Sequence, residues 1–91
     1  MPRIYKYKLE IEDVQVLSIP KPATILSVIE QNHSPVLYAI VDPGSDLVRV
    51  MIYLQGTGES MEYVSHIQAR FLGTVNTRVG LIWHVFYKVV L

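Results

Sequence analysis

Cysteine is absent from the 91 residues. That removes disulfide frameworks, thiolate metal sites and cysteine nucleophiles together, and it gives no sign of an oxidising compartment. Charge is scarce: 18% of residues are Asp, Glu, Lys or Arg, eight basic against eight acidic, for a formal net charge of zero. The basic residues Arg3, Lys6, Lys8, Lys21, Arg49, Arg70, Arg78 and Lys88 are scattered along the chain, so the stripe that duplex DNA or RNA requires is missing. No apolar run approaches the roughly 20 residues of a membrane helix, and charges interrupt the N-terminal MPRIYKYKLEIEDV from its start. Neither a membrane partner nor a signal peptide is expected, and the address that remains is cytoplasmic. A helix-length amphipathic segment, an internal repeat and a linker are also lacking. The expectation is a single domain over 1–91.

What the chain has in plenty is apolar surface. Hydrophobic residues make up 51% of it, which excludes disorder. The stretch Val79 to Leu91 is the one around which the rest is organised. At period two its odd positions, Val79, Leu81, Trp83, Val85, Tyr87, Val89 and Leu91, form an unbroken apolar face. The even positions mix Gly80, His84 and Lys88 with Ile82, Phe86 and Val90, a strand whose second face is also partly covered. A chain this short has little interior to receive so many apolar side chains, so burial between subunits is expected and the protein is read as a homo-oligomer.

Ile4 to Ile11 alternates, with Tyr5, Tyr7, Leu9 and Ile11 on one face. Val14 to Ile19 resumes before Pro20 and Pro22 end it, because proline gives the ladder no donor. These two strands are expected to form a hairpin. Ala23–Gln31 and Val36–Asp42 flank a turn at Asn32, His33, Ser34 and Pro35; both carry apolar residues on both faces and are placed centrally in a sheet. After the turn Asp42–Asp46, the strand Leu47–Gln55 puts Val48, Val50, Ile52 and Leu54 inward and Arg49, Met51 and Tyr53 outward. Gly56, Thr57 and Gly58 interrupt it, and a short helical turn fits Glu59–Ser65. Ile67, Ala69 and Phe71 alternate toward Gly73, and Asn76 with Thr77 marks a turn into the last strand. The fold class is all-β: an antiparallel β-sandwich or partly open barrel of about seven strands with little or no helix.

Constellations for catalysis are thin. His33, His66 and His84 lack the spacing that puts two metal ligands on one face beside a carboxylate, so no metal or cofactor is expected. No serine stands in a nucleophile elbow, and Asp42 and Asp46 belong to a turn. Glu59 and Glu62 can share acid and base roles or simply be solvated loop charges. No enzyme is read here. Gly56-Thr57-Gly58 is either a tight strand-ending connection or a place where amides and a hydroxyl converge on an anion. Arg49, Tyr53, Arg70, Tyr38 and Trp83 can stack bases and pair phosphates, with core packing the other reading for Tyr38 and Trp83. His84 is either a half-buried strand residue or a polar contact in a pocket. Arg70, Arg78, Thr74 and His84 are expected at the other end of the sheet from the glycine loop.

The segments Ile19-Pro20, Ala23-Thr24-Ile25-Leu26-Ser27-Val28, Gln31-Asn32, Leu37 to Pro43, Gly56-Thr57-Gly58, Phe71 to Val75 and Trp83-His84-Val85-Phe86 resemble a family of small all-β proteins of unassigned function. Members of that family are encoded mostly by bacteriophages and mobile elements. The chain departs from the family pattern at His33-Ser34, where glycine usually follows the asparagine, and in a longer tail past Phe86. In size and context such proteins are similar to phage anti-CBASS sponges, which sequester the cyclic nucleotide signals of bacterial antiviral defence without cleaving them. The resemblance implies a cyclic oligonucleotide partner in the host bacterial cytoplasm, with a ligand site drawn from Arg49, Tyr53, Gly56, Thr57, Gly58, Tyr38, Thr74, Arg78 and His84. The reading from another class is a phage structural or host-protein interaction module with no small ligand.

Overall fold

The computed structural model describes residues 1–90; Leu91, which the alternation adds to the apolar face of the last strand, lies outside the described residues. Seven strands and one helical turn follow in order: β1 (Arg3–Lys8), β2 (Val14–Pro20), β3 (Thr24–Gln31), β4 (Ser34–Val41), β5 (Leu47–Gly56), α1 (Glu62–His66), β6 (Arg70–Arg78) and β7 (Leu81–Val90). They form a three-stranded sheet in the order β1-β4-β3 and a four-stranded sheet in the order β2-β5-β7-β6, antiparallel at every pairing. Neither sheet closes on itself, so there is no closed barrel among the described residues.

Period-two patterning fills the space between the sheets. Val48, Val50, Ile52 and Leu54 turn inward from β5 as expected. They meet Leu37, Ala39 and Val41 of β4, Val28 of β3, Ile19 of β2, Val75 of β6 and Val85 of β7 in one buried cluster. Trp83, Tyr87 and Val89 pack against that cluster from the odd face of β7. Burial of this kind, at about 25 cal/mol per Å² of apolar surface, is the main force holding the two layers together.

Several expectations about strand neighbours are corrected. β1 and β2 do not form a hairpin: β1 pairs β4 and β2 pairs β5. Leu9, buried in the core, anchors the passage from one sheet to the other, and the segment after it carries Ile11 into an exposed position rather than onto the apolar face of β1. β3 is an edge strand, not a central one, and its second face is open, with Leu26 43% and Ile29 46% exposed. The β3–β4 turn spans only Asn32 and His33, both in the left-handed region at φ 52° and 65°, the pairing of conformers that follows strand twist in a two-residue hairpin. Asn76 and Thr77 lie inside β6, and the turn falls at Val79-Gly80, with Gly80 at φ 82°.

β5 and β6 are both antiparallel to β7, hence parallel to each other. A parallel pair needs a crossover, and residues 57–69 supply it. Met61 to Ile67 wind into α1, with Ser65 N–H donating to Met61 O at 2.8 Å. Val64 is buried, the Tyr63 ring meets Tyr53 edge-on at 6.0 Å, and Lys88 Nζ donates to Ile67 O at 2.9 Å. The crossover thus lies on the outer face of β5 and β7. No helix among the described residues is long and apolar enough to cross a membrane.

Candidate functional site

The end of β5 turns through Gly56, Thr57 and Gly58, with Glu59 N–H donating to Gly56 O at 3.1 Å and Gly58 at φ 92°. Glycine takes that φ without the Cβ penalty other residues meet. Register then assembles a polar row across three strands: Gln55 of β5 stands opposite His84 of β7, and His84 opposite Thr74 of β6. Thr57 Oγ1 comes to 2.9 Å from His84 Nε2, and Thr74 Oγ1 to 3.0 Å from His84 Nδ1. The half-buried imidazole is gripped on both nitrogens while both hydroxyls stay exposed.

A neutral imidazole donates at one nitrogen and accepts at the other, so one threonine accepts from the ring and the other donates to it. Each hydroxyl keeps hydrogen-bonding capacity for a ligand. The ring lacks a carboxylate partner, the group that stabilises the imidazolium of a general base in hydrolytic triads. Beside the row runs an open groove of ≈ 360 Å³ lined by Gly56, Thr57, Gly80, Leu81, Ile82 and Trp83.

Of the residues drawn from the sequence, Gly56, Thr57, Gly58, Thr74 and His84 come together. Thr74 and His84 are therefore at the glycine-loop end of the sheet, not at the far one. Arg49 and Tyr53 do not join them. Arg49 is seven residues back along β5, roughly 23 Å at the rise of an extended strand, opposite Ser18 and Val90. Tyr53 faces outward but is 3% exposed beneath Tyr63, with no ring face free for a base. Burial, then the neighbouring Tyr63, raises its phenol above the ordinary tyrosine value. Tyr38 is in the other sheet, between Lys6 and Ser27. Arg78 ends β6, exposed and opposite Leu81.

Glu59 is the residue whose part here was not foreseen. Its carboxylate accepts the Gly56 N–H, so it takes up one of the two glycine amides offered as an anion cradle and sets a negative charge beside it. The signal was present in the spacing, an acidic residue three positions after a strand-ending glycine. Trp83, opposite Gly56, adds a second unforeseen feature: its Nε1 is buried with no hydrogen-bond partner among the described residues.

Residues 1–90 match the family described as Domain of unknown function (DUF7352). No curated protein and no solved structure matches the chain.

Proposed function

The chain belongs to the DUF7352 family, a grouping that assigns no activity, and from that premise we propose a binding protein that captures a cyclic oligonucleotide and holds it uncleaved. In the setting that the resemblance to phage proteins supplies, it acts as a homo-oligomeric sponge for the nucleotide signals of bacterial antiviral defence. The observation that carries the reading is the Thr57–His84–Thr74 row, which offers oriented hydroxyls and an imidazole edge next to a loop with Gly58 at φ 92°. Ribose hydroxyls, base edges and phosphodiester oxygens are all partners for such groups. The adjacent groove has Leu81, Ile82 and Trp83 to receive a base. Preorganisation matters because binding then orders few side chains.

Glu59 opposes a phosphate at Gly56, and bringing the two together is costly unless the carboxylate swings away. The test is retention of intact ligand by the purified protein from a panel of cyclic di- and trinucleotides, read after heat release. Thr57→Val with Thr74→Val is expected to abolish retention, Glu59→Gln to tighten it, and Arg49→Ala to leave it unchanged. Retention by the double threonine variant equal to the parent's overturns the site, and an altered nucleotide makes the protein an enzyme.

A second reading is favoured by a separate observation. Val14, Val16, Tyr63 and Phe71 are exposed around the four-stranded sheet, apolar side chains of the kind that a protein partner covers. A structural or host-protein interaction module would cover it, and that reading predicts no nucleotide retention at all.

A further inference from the structure

Two sheets have four edges, and three of them are protected. β1 carries Arg3, Lys6 and Lys8 along an exposed strand. β3 is bulged between Ile25 and Ser27, β6 is irregular at Phe71/Gly73 and again at Asn76/Arg78, and these two edges lie against each other. Charge, bulges and cover are the usual means by which proteins stop edge strands from pairing with other chains. β2 has none of these, and its one proline, Pro20, is its last residue. Its ladder to β5 is unbroken over Val14–Pro20, and VQVLSIP contains no charged residue.

The phase of that ladder decides which groups are free. Leu54 N–H donates to Asp13 O at 3.1 Å, so alternation directs the N–H and C=O of Gln15, Leu17 and Ile19 to β5 and those of Val14, Val16 and Ser18 outward. No other hydrogen bond among the described residues reaches these three. Their side chains share the outer face, where Val14 is 45% and Val16 50% exposed and Met51 stands opposite Val16.

We propose that β2 is the dimerisation edge, pairing antiparallel with β2 of a second copy about a two-fold axis at Val16, so that the four-stranded sheets of both copies become one. This rests on the homo-oligomeric reading and supplies its surface. A two-fold axis sets every edge residue against one from the same edge, so a charge near the axis meets its own kind. β2 is uncharged throughout, whereas β1 paired in this way would oppose lysine to lysine. The register sets Val14 against Ser18 of the second copy and Val16 against its twin, for about six main-chain hydrogen bonds. Pro20, which has no N–H to give, falls beyond these pairs. The two valine ridges and Met51 form a continuous apolar strip across the junction.

The chain contains no cysteine, which makes the geometry directly readable. Hydrogen-bonded antiparallel partners have Cα atoms about 5.5 Å apart, within the roughly 4.4–6.8 Å span of a disulfide. Val16→Cys is expected to cross-link into a covalent dimer under mild oxidation, and Lys6→Cys on β1 to remain single. Light scattering of the parent should give a dimer at micromolar concentration and of Val16→Lys a monomer with unchanged circular dichroism. Val14→Lys alone should likewise be a monomer, and the double variant Val14→Lys/Ser18→Glu, which sets opposite charges across the axis twice, should return to a dimer. A monomeric parent, or a Val16→Cys variant that does not cross-link while the protein remains dimeric, overturns the proposal. Nucleotide retention is scored on the same preparations: a dimer that retains none overturns the function and leaves the edge standing, and a monomer that retains ligand does the reverse.

Discussion

Gly73 of β6 sits so near Val28 of β3 that a Cβ built on the glycine would stand 3.0 Å from Val28 Cγ1. This contact joins an edge of each sheet and pinches the sandwich on that side. Val28 is buried and β-branched, with little rotamer freedom to yield. Gly73→Ala is expected to destabilise the fold by about 1 to 2 kcal/mol through overpacking, read as a lower urea midpoint with an unchanged slope. Val28→Ala in the same chain should recover part of the Gly73→Ala loss, because it removes the atom in the way. Strict additivity of the two costs would show that the pair does not couple.

Trp83 packs against the core with an indole N–H that is buried and has no partner among the described residues. An orphaned buried donor costs roughly 1 to 3 kcal/mol, so the ring contributes packing and the nitrogen subtracts from it. Trp83→Phe, which discards the N–H and keeps most of the ring, is expected within about 1 kcal/mol of the parent. Trp83→Ala should cost about 2 to 4 kcal/mol, somewhat below a fully enclosed aromatic. Equal losses for both variants in chemical denaturation would mean that the nitrogen has a partner in solution.

Burial raises the phenols of Tyr53 and Tyr7, with smaller contributions from Tyr63 and Tyr5 respectively. The folded protein therefore keeps these protons at a pH where the unfolded chain has begun to lose them. Their contribution to stability is full below the ordinary value of about 10 and declines as pH climbs through the raised values. Thermal midpoints should fall from about pH 10 upward. Tyr53→Phe should flatten that decline, with one late-titrating phenol missing from the absorbance titration.

Alternation made the faces of the strands legible, because a residue that must be buried marks every second position. It could not reveal neighbours, since the same inward face suits any place in either sheet. That is why Val48 to Leu54 were correctly turned inward while β1 and β2 were wrongly paired. The Asn32-His33 turn shows a second limit: the left-handed φ of His33 is usually announced by glycine, and here histidine takes it while its Nδ1 lies 3.0 Å from Thr77 O and its N–H reaches Glu30. At the candidate site, Gly56-Thr57-Gly58 could be seen locally. The meeting of Thr57 with His84 depends on β5 pairing with β7, 27 positions apart in sequence. Arg49 and Tyr53 were grouped with the loop because outward parity is legible, whereas the cover of Tyr63 is not; for Arg49 the length of the expected strand already set roughly 23 Å between it and the loop.

β7 lies between β5 and β6, yet it is made after both. During synthesis, every state of the chain that stops short of Leu81 has β5 and β6 with no strand between them, and the backbone groups that β7 pairs are left without their partners. The four-stranded layer then closes by insertion of its second-to-last position rather than by growth at an edge. Non-local pairing of this sort is slow to form and leaves apolar strands available to other chains in the meantime. A nascent chain arrested before Leu81 should thus be protease-sensitive and in need of a chaperone, and release of the ten residues of β7 should complete the sheet in a single cooperative step.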